Sequence, residues 1–240
     1  MYGKTLKELN TKFLVRKYFL SNIIYEKICN QNEFSYFRLQ LNPNLNYIIK
    51  NKKFFLLVNK GSVLINKKNH IDSFKEILFC EGFLSLKCIE KTELYIFFFK
   101  NVSNIKIKES KKKNFSKIKT SKIKTKKKYW GAIYDIIQNK SGAIKIIEMK
   151  ANTQSSMEFH IIKKENYFLE NGLMNLGIRH SRGINGVIKL KKNNSFLMKP
   201  GTMHMRMAKK KCKIVEMSTR DYDNDSIIVH DGKKYKFKIN

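Results

Sequence analysis

Short apolar runs recur along the chain about every ten residues, separated by turn-forming residues, a pattern typical of antiparallel strands. After residue 128 there are eight such runs: AIYDIIQ, AIKIIEMK, SMEFHII, NYFLENG, NGVIKL, SFLMK, CKIVEMS and SIIVH. Asparagine, glycine and proline mark the turns, as at Asn171-Gly172, Asn185-Gly186 and Pro200-Gly201. Eight short strands in about one hundred residues predict a double-stranded β-helix, the jelly-roll barrel.

The first hundred residues repeat this pattern after a different start. The stretch FSYFRLQL alternates, and FFLLVNKGSVLIN contains two runs joined at a hairpin-like Asn59-Lys60-Gly61. The opening TLKELNTKFLVRKYFLSNIIYEKI has apolar residues at a spacing that a helix also satisfies, so we expect a short N-terminal helical segment. The predicted fold class is therefore all-β, with two double-stranded β-helix barrels and a short N-terminal helical segment.

A lysine-rich stretch separates the two predicted barrels. Residues 106–129, KIKESKKKNFSKIKTSKIKTKKKY, are basic, low in complexity and without a continuing core pattern. We therefore expect a β domain at residues 1–100, a linker or exposed loop at residues 101–128, and a second β domain at residues 129–240.

The formal net charge of +31 raises the question of a nucleic-acid partner. The excess of basic residues is spread over all three parts of the chain. Arginine, whose guanidinium group usually makes the paired hydrogen bonds to bases and phosphates, occurs only six times. Before Tyr129, the lysine-rich stretch contains Phe115 as its one aromatic residue for base stacking. An AT-rich coding sequence explains such a composition, so the sequence disfavours nucleic acid as a partner.

The four cysteines are Cys29, Cys80, Cys88 and Cys212, and they form neither a CxxC pair nor a zinc-module spacing. Reduced, buried thiols in a cytosolic protein are expected. The N-terminus has no uninterrupted apolar segment of signal-peptide length, and the runs FFLLV and LYIFFF are too short to span a bilayer. The predicted location is the cytoplasm, with no membrane span.

Two carboxylates and an imidazole lie close together in the stretch SSMEFHIIKKENYFLENG. On a strand, Glu158 and His160 point to the same face because they are two residues apart. The residues IIKK leave room for a tight turn that brings Glu165 alongside, and His204 on a later strand is the candidate for a fourth ligand. Two imidazoles and two carboxylates suit one divalent transition metal, either zinc, manganese or ferrous iron.

With this arrangement the chain resembles the cupin superfamily. The first motif of that family is a glycine, two ligand positions separated by one residue, a glutamate and a closing glycine. The second motif places a histidine after a glycine. The matching positions here are Asn152, Glu158, His160, Glu165 and Gly172, followed by Asn193, Gly201 and His204. Asparagine replaces glycine at 152 and 193, and it is the next most tolerant residue for left-handed backbone.

Residues 129–218 look most like the type II mannose-6-phosphate isomerase branch of the cupins. The matching residues are Trp130-Gly131, then Ser156-Met157-Glu158-Phe159-His160 with Lys163 and Glu165, then Gly201 and His204. Glu158 stands where that branch has glutamine, and Lys163 where it has arginine. The resemblance implies a metal-dependent aldose–ketose isomerase for a sugar or sugar phosphate, in carbohydrate or surface-polysaccharide precursor metabolism.

In this interpretation the metal polarises the sugar, and Glu158 and Glu165 are the candidate catalytic bases. The candidates for binding an anionic sugar substrate are Lys163, His180, Arg182 and Arg206. Two alternatives stay open: a non-catalytic barrel that binds a sugar or another anion, and an iron-dependent oxygenase.

The first domain lacks this set of residues. It has a single histidine, His70, and no cluster of glutamates. We interpret residues 31–100 as a degenerate cupin barrel without metal ligands, whose role is structural, and we expect the protein to form a homodimer.

Overall fold

Antiparallel strands make up nearly all of the regular structure in the computed structural model, which describes residues 11–20, 22–65, 69–110 and 118–238. These residues contain no α-helix, and one short 3-10 turn spans Asp223–Asp225. Within the same residues, no helix is long and apolar enough to cross a membrane. The prediction of an all-β protein is confirmed.

The strands are numbered in chain order. The first group is β1 Thr11–Leu14, β2 Arg16–Leu20, β3 Ile23–Asn30, β4 Ser35–Leu41, β5 Asn46–Lys60, β6 Ser62–Ile65, β7 Asn69–Asp72, β8 Glu76–Cys88, β9 Thr92–Phe98, β10 Lys106–Glu109 and β11 Ile118–Lys122. The second group is β12 Lys124–Lys128, β13 Gly131–Asn139, β14 Gly142–Met149, β15 Thr153–Gln154, β16 Met157–His160, β17 Glu165–Asn171, β18 Leu173–His180, β19 Gly186–Lys191, β20 Asn194–Met198, β21 Thr202–Ala208, β22 Cys212–Ser218 and β23 Ser226–His230.

The chain divides into two compact units. One comprises residues 1–14 and 124–240, and we call its described part the C-terminal unit. The other comprises residues 15–123, and we call its described part the N-terminal unit. The C-terminal unit therefore includes a strand, β1, from the start of the chain, which pairs with β20.

Two antiparallel sheets form the C-terminal unit. One has the order β1-β20-β17-β22-β14-β13-β12, and the other has the order β19-β18-β21-β16-β23, with β15 paired to β21. Alternating apolar residues of both sheets share one core, which includes Ile147, Leu169, Leu176 and Ile214. Two sheets closed over one core are the arrangement expected of a jelly-roll barrel.

A single antiparallel sheet forms the N-terminal unit. Its order is β2-β3-β4-β9-β5-β8-β6-β7, and β10 and β11 pair with β5 and β8. Strands β5 and β8 are long, with 15 and 13 residues, and a register shift between Asn51 and Lys53 marks a bulge, which bends a strand. The sheet encloses its own apolar core, which includes Phe37, Leu56 and Leu84.

The turn predicted at Asn59-Lys60-Gly61 is present, but the predicted hairpin is wrong. Gly61 has a φ of 78°, and a Cβ there would lie 2.7 Å from the carbonyl oxygen of Lys91. In the described pairings β6 lies between β7 and β8, while β5 pairs with β8, β9 and β10. Strands β5 and β6 are both antiparallel to β8, so the local turn signal marks a turn in the chain that does not form a hairpin.

The predicted N-terminal helical segment is wrong for the residues described, because residues 11–30 contain the strands β1, β2 and β3. Tyr18 and Tyr25 lie opposite each other on β2 and β3, and their rings stack with centroids 4.9 Å apart. The spacing of the apolar residues fits both the helical and the strand period. Aromatic and β-branched residues favour a strand when a neighbouring strand is available for pairing. Residues 1–10 lie outside the described residues.

The lysine-rich stretch predicted as a linker or loop contains strands in its described part. Strand β10 pairs with β5, β11 with β8, and β12 with β13. All residues of β12 are exposed, and Lys126 Nζ lies 2.8 Å from Asp135 Oδ2. Strand pairing uses backbone groups, so a lysine-rich sequence can add an edge strand whose side chains reach water. Residues 111–117 lie outside the described residues.

The prediction that asparagine replaces glycine at two left-handed turns is confirmed. Asn152 and Asn193 have φ angles of 57° and 66°. Gly172, which closes the first motif, has a φ of 98°, and a Cβ there would lie 2.3 Å from the carbonyl oxygen of Lys211. The backbone turns of both motifs are therefore preserved, although two of their glycines are absent.

Replacement of Asn152 by alanine should lower the free energy of unfolding by about 1 kcal/mol, because alanine is strained at positive φ. Replacement by glycine should leave stability nearly unchanged and is the matched control. Asn152 is exposed, so burial does not differ between the variants. Urea denaturation of the three proteins measures the difference, and an alanine variant as stable as wild type would contradict the left-handed turn.

Candidate metal site and cavity

The four residues predicted as metal ligands lie together between the two sheets of the C-terminal unit. Strand β16 carries Glu158 and His160, β17 begins at Glu165, and β21 carries His204. Glu158 lies directly opposite His204 in the β16–β21 pairing, whereas Glu165 comes from the other sheet.

Glu165 lies between the two imidazoles. Its Oε1 is 3.4 Å from His160 Nε2, and its Oε2 is 3.5 Å from His204 Nε2. Ligand atoms of Glu158, His160 and His204 all lie within 4.8 Å of one another, so these three residues can hold one metal ion. His160, Glu165 and His204 are buried, while the Glu158 side chain is 18% exposed.

Backbone carbonyls orient both imidazoles. His160 Nδ1 lies 3.2 Å from the carbonyl oxygen of Asp225, and His204 Nδ1 lies 3.1 Å from that of Thr202. Since a carbonyl can only accept, each Nδ1 carries the hydrogen and each Nε2 faces Glu165, with a lone pair when the ring is neutral and an N–H when it is protonated. Lone pairs that face a carboxylate need a cation, either a proton or a metal, between them. The donor set therefore fits a transition metal, with a carbonyl behind each imidazole.

The Glu165 carboxylate is held on both oxygens. Lys163 Nζ lies 2.6 Å from Oε1, and the Tyr167 hydroxyl donates to Oε2 at 2.9 Å. Burial alone would raise the pKa of Glu165, but the charge of Lys163 and the hydrogen bond from His160 outweigh it and hold this pKa well below its usual value. Glu165 is therefore an ionised carboxylate and a weak base.

Glu158 is bound by a different cation. Arg206 Nη2 donates to its Oε1 at 2.7 Å, and the Ser226 hydroxyl donates to its Oε2 at 3.3 Å. Burial raises the pKa of Glu158, and Arg206 and His204 reverse this effect, so the net pKa is lowered. Glu158 is ionised too, but it is more accessible than Glu165.

The two imidazoles differ in their affinity for a proton. Burial lowers the pKa of His160, but its hydrogen bond and charge interaction with Glu165 outweigh burial and raise it overall. Burial dominates at His204, so its pKa is lowered despite the nearby carboxylates of Glu165 and Glu158. His204 is therefore the neutral imidazole of the pair, and it presents a lone pair ready to bind a cation.

Asp225, which the sequence analysis missed, organises the turn between β16 and β17. Its Oδ1 accepts the backbone N–H groups of Ile161 and Ile162 at 2.8 and 3.0 Å, and its Oδ2 accepts that of Lys163 at 2.9 Å. Its own carbonyl oxygen lies beside His160 Nδ1. A single buried residue thus determines both the turn that leads to Glu165 and the orientation of one imidazole.

The site opens into a cavity of about 370 Å³. Glu158, His160 and Glu165 line it, whereas His204 is fully buried and does not. Tyr129 and Trp130 supply aromatic surface to the lining. This volume is within the range of small-molecule binding sites.

Part of the lining is a cluster of charged residues that the sequence analysis missed. Lys145 on β14 lies opposite Glu216 on β22, and Asp221 follows that strand. Asp221 accepts from Lys145 Nζ at 2.5 Å and from Lys163 Nζ at 2.9 Å. Strand alternation places Lys145 and Glu216 on inward faces, but only the strand register brings them together.

The residues predicted to bind the substrate divide into two pairs. Lys163 and Arg206 line the cavity, and both bind carboxylates of the site. His180 ends β18 and contacts the Thr202 hydroxyl at 3.2 Å, and Arg182 is in an exposed turn. Neither His180 nor Arg182 is among the residues that line the cavity.

No model of a known protein family matches the chain, and no curated protein sequence matches it. Solved structures do match. A deletion variant of oxalate decarboxylase from Bacillus subtilis has a TM-score of 0.72 at 10% identity, covering 95% of this chain and 80% of that one. The formate complex of Lactobacillus farciminis oxalate decarboxylase has a TM-score of 0.72 at 12% identity, covering 95% of this chain and 90% of that one.

A further Bacillus subtilis oxalate decarboxylase structure, from a study of its Mn(II) centres, has a TM-score of 0.71 at 10% identity. The match covers 95% of this chain and 81% of that one. Oxalate decarboxylases are members of the cupin superfamily. At these identities the likeness establishes the fold, which is cupin-like as the sequence motifs predict.

Replacement of Asp225 by asparagine should lower the free energy of unfolding by about 2 kcal/mol, because one amide oxygen cannot accept three backbone N–H groups. Asp231→Asn is the matched control, because in the described hydrogen bonds the exposed side chain of Asp231 accepts the backbone N–H of Lys233 at 2.9 Å, and an amide oxygen can keep that bond. Urea denaturation measures both variants. If Asp225→Asn were as stable as Asp231→Asn, the conclusion that Asp225 stabilises the turn would be wrong.

Proposed function

We propose that this protein is a metal-dependent cupin that binds a small anionic molecule in the cavity of the C-terminal unit. The observation that carries the proposal is that two imidazoles, each oriented by a backbone carbonyl, present Nε2 to one buried carboxylate, that of Glu165. The Mn(II) centres named for one oxalate decarboxylase support metal dependence in this fold. Zinc, manganese and ferrous iron are the candidate metals.

The charge of the lining supports an anionic ligand. Three buried or half-buried cationic side chains face four carboxylates there: Lys145, Lys163 and Arg206 against Glu158, Glu165, Glu216 and Asp221. With all of them ionised the cluster has one net negative charge, so a bound divalent cation makes it positive. Lys128 adds an exposed ammonium group to the lining. A positive cavity attracts a phosphorylated or carboxylated small molecule.

Within this class we propose an aldose–ketose isomerisation of a sugar phosphate, as the sequence resemblance implies. A bound divalent metal supplies Lewis-acid polarisation of a carbonyl and a neighbouring hydroxyl. Glu158 is the more accessible of the two candidate bases, with 18% of its side chain exposed against 2% for Glu165. Glu165 is better suited to holding the metal and the imidazoles in place, because both of its oxygens are already engaged.

A non-catalytic binding protein is the second candidate, and a specific observation favours it. Lys163 and Arg206, the two predicted substrate-binding residues that line the cavity, make their shortest bonds to Glu165 and Glu158. A cluster that satisfies its own charges can hold its shape without turnover.

We further propose that the N-terminal unit is a degenerate second cupin barrel with a structural role, so that the whole chain is a bicupin and forms a homodimer. The fold likeness covers 95% of the chain, so it extends over both units. Among its described residues, the N-terminal unit shows no group of histidine and carboxylate ligands like that of the C-terminal unit.

Purified protein should contain about one transition metal per chain, and His160→Gln/His204→Gln should lose it. Metal-free wild type should gain about 5–10 °C in Tm with Mn²⁺ or Zn²⁺ at roughly one hundred times Kd. Elemental analysis and thermal unfolding provide the measurements, and His70→Ala, an exposed histidine of the other unit, is the control. Folded wild type that neither contains nor takes up metal would refute the metal site.

Metal-loaded wild type should isomerise at least one member of a panel of aldose phosphates, and Glu158→Gln should lower kcat by at least about 100-fold while metal content is retained. Glu170→Gln, a buried glutamate outside the lining, is the matched control. The assay is ketose formation, with sugar-phosphate binding measured in parallel and oxalate included in the panel. Binding without turnover would support the second candidate, and turnover of oxalate alone would contradict the isomerase.

A further inference from the structure

Glu216 lies on the cavity wall with 3% of its side chain exposed. On neighbouring strands it stands opposite Lys145 and Tyr167. It is not one of the predicted ligands, and it does not bridge any of them by a described hydrogen bond. Its position in the cavity therefore needs a separate explanation.

The three cationic side chains around Glu216 make their short bonds to other carboxylates. Those bonds are Lys145 to Asp221 at 2.5 Å, Lys163 to Glu165 at 2.6 Å and Arg206 to Glu158 at 2.7 Å. The same three cations lie 3.7 to 3.8 Å from Glu216, which is beyond hydrogen-bond length. In the described part of the chain, Glu216 Oε1 is a buried oxygen without a hydrogen-bond partner.

A buried carboxylate without a hydrogen bond is costly when ionised and much less costly when protonated. Burial, and next the charge of Glu165, raise the pKa of Glu216, whereas the pKa values of Glu158, Glu165 and Asp221 are lowered. Glu216 is thus the one carboxyl of this cluster whose surroundings favour the neutral form.

We propose that Glu216 is the proton-exchanging carboxyl of the cavity, which holds a proton while no divalent cation is bound and releases it when a cation binds beside Glu165. The bound cation offsets the charge of Glu165 and adds positive charge near Glu216. The O–H bond of Glu216 then breaks, its electron pair stays on the carboxylate and the proton passes to solvent, with no change in oxidation state. This inference rests on the proposed metal site.

Release of the proton leaves an ionised carboxylate on the wall of a loaded cavity. The other three carboxylates of the cluster keep hydrogen bonds to Lys145, Lys163 and Arg206, so their lone pairs are less available. Glu216 is then a second group, beside the candidate base Glu158, that can accept a proton from a bound ligand. This role would give the cavity a second base only when the metal is present.

The test is the number of protons released when metal-free, full-length protein binds Zn²⁺. Calorimetric titration in buffers of different ionisation enthalpy gives that number, and a pH series from about 5 to 7.5 spans the range above the ordinary glutamate pKa. Glu216→Gln should release about one proton fewer than wild type at the pH of greatest difference. Protons from His160 are common to both proteins and cancel, and Glu170→Gln should match wild type.

Equal proton release by wild type and Glu216→Gln at every pH would overturn the inference while leaving the metal site intact. Wild type that takes up no Zn²⁺ would overturn the metal site and the coupling with it. Infrared difference spectra of wild type make the test independent of how well the variant folds. A protonated-carboxyl band that disappears on addition of Zn²⁺ is expected, and its absence from the metal-free protein would refute the proposal.

Discussion

The buried carboxylate of Glu165 is the constraint on which the site depends. An ionised carboxylate at this depth is tolerated only with cations and hydrogen-bond donors around it, and here it has Lys163, Tyr167 and two imidazoles. Each of these partners brings further requirements, since Lys163 also needs Asp221 and the imidazoles need backbone acceptors. The cluster is therefore a connected network in which loss of one member leaves another charge buried and unpaired.

The network also links parts of the chain that are far apart in sequence. Asp225 is more than sixty residues from the turn that it organises, and β23 beside it pairs with β16. Gln154 donates to the carbonyl oxygens of Gly232 and Tyr235, which ties the residues after β23 to the segment before β16. Strand β16, which carries two of the predicted ligands, thus lies between β21 and β23, and the last part of the chain holds one of its sides and the segment before it.

The sequence predicted the features that depend on local pattern. Alternation located the strands of the C-terminal unit, and ligand spacing brought Glu158, His160, Glu165 and His204 together, with asparagine in the expected left-handed turns. It failed where strand pairing decides the outcome. The opening residues fit both the helical and the strand period, β18 was missed, and β12 has no buried face. Asp225 carried no pattern at all, since its role arises from backbone groups that only the tertiary fold brings near it.

The network also limits which metal the site can prefer. A cation there must share Glu165 with Lys163 and Glu158 with Arg206, so the carboxylates are weaker donors than they would be alone. A carboxylate retains further lone pairs after one such bond, so sharing is feasible. The imidazole nitrogens are the donors that no internal cation occupies at short distance, and imidazole suits zinc, iron and other transition metals better than magnesium or calcium. The same internal cations that stabilise the cluster therefore favour a transition metal over a hard, oxygen-seeking one.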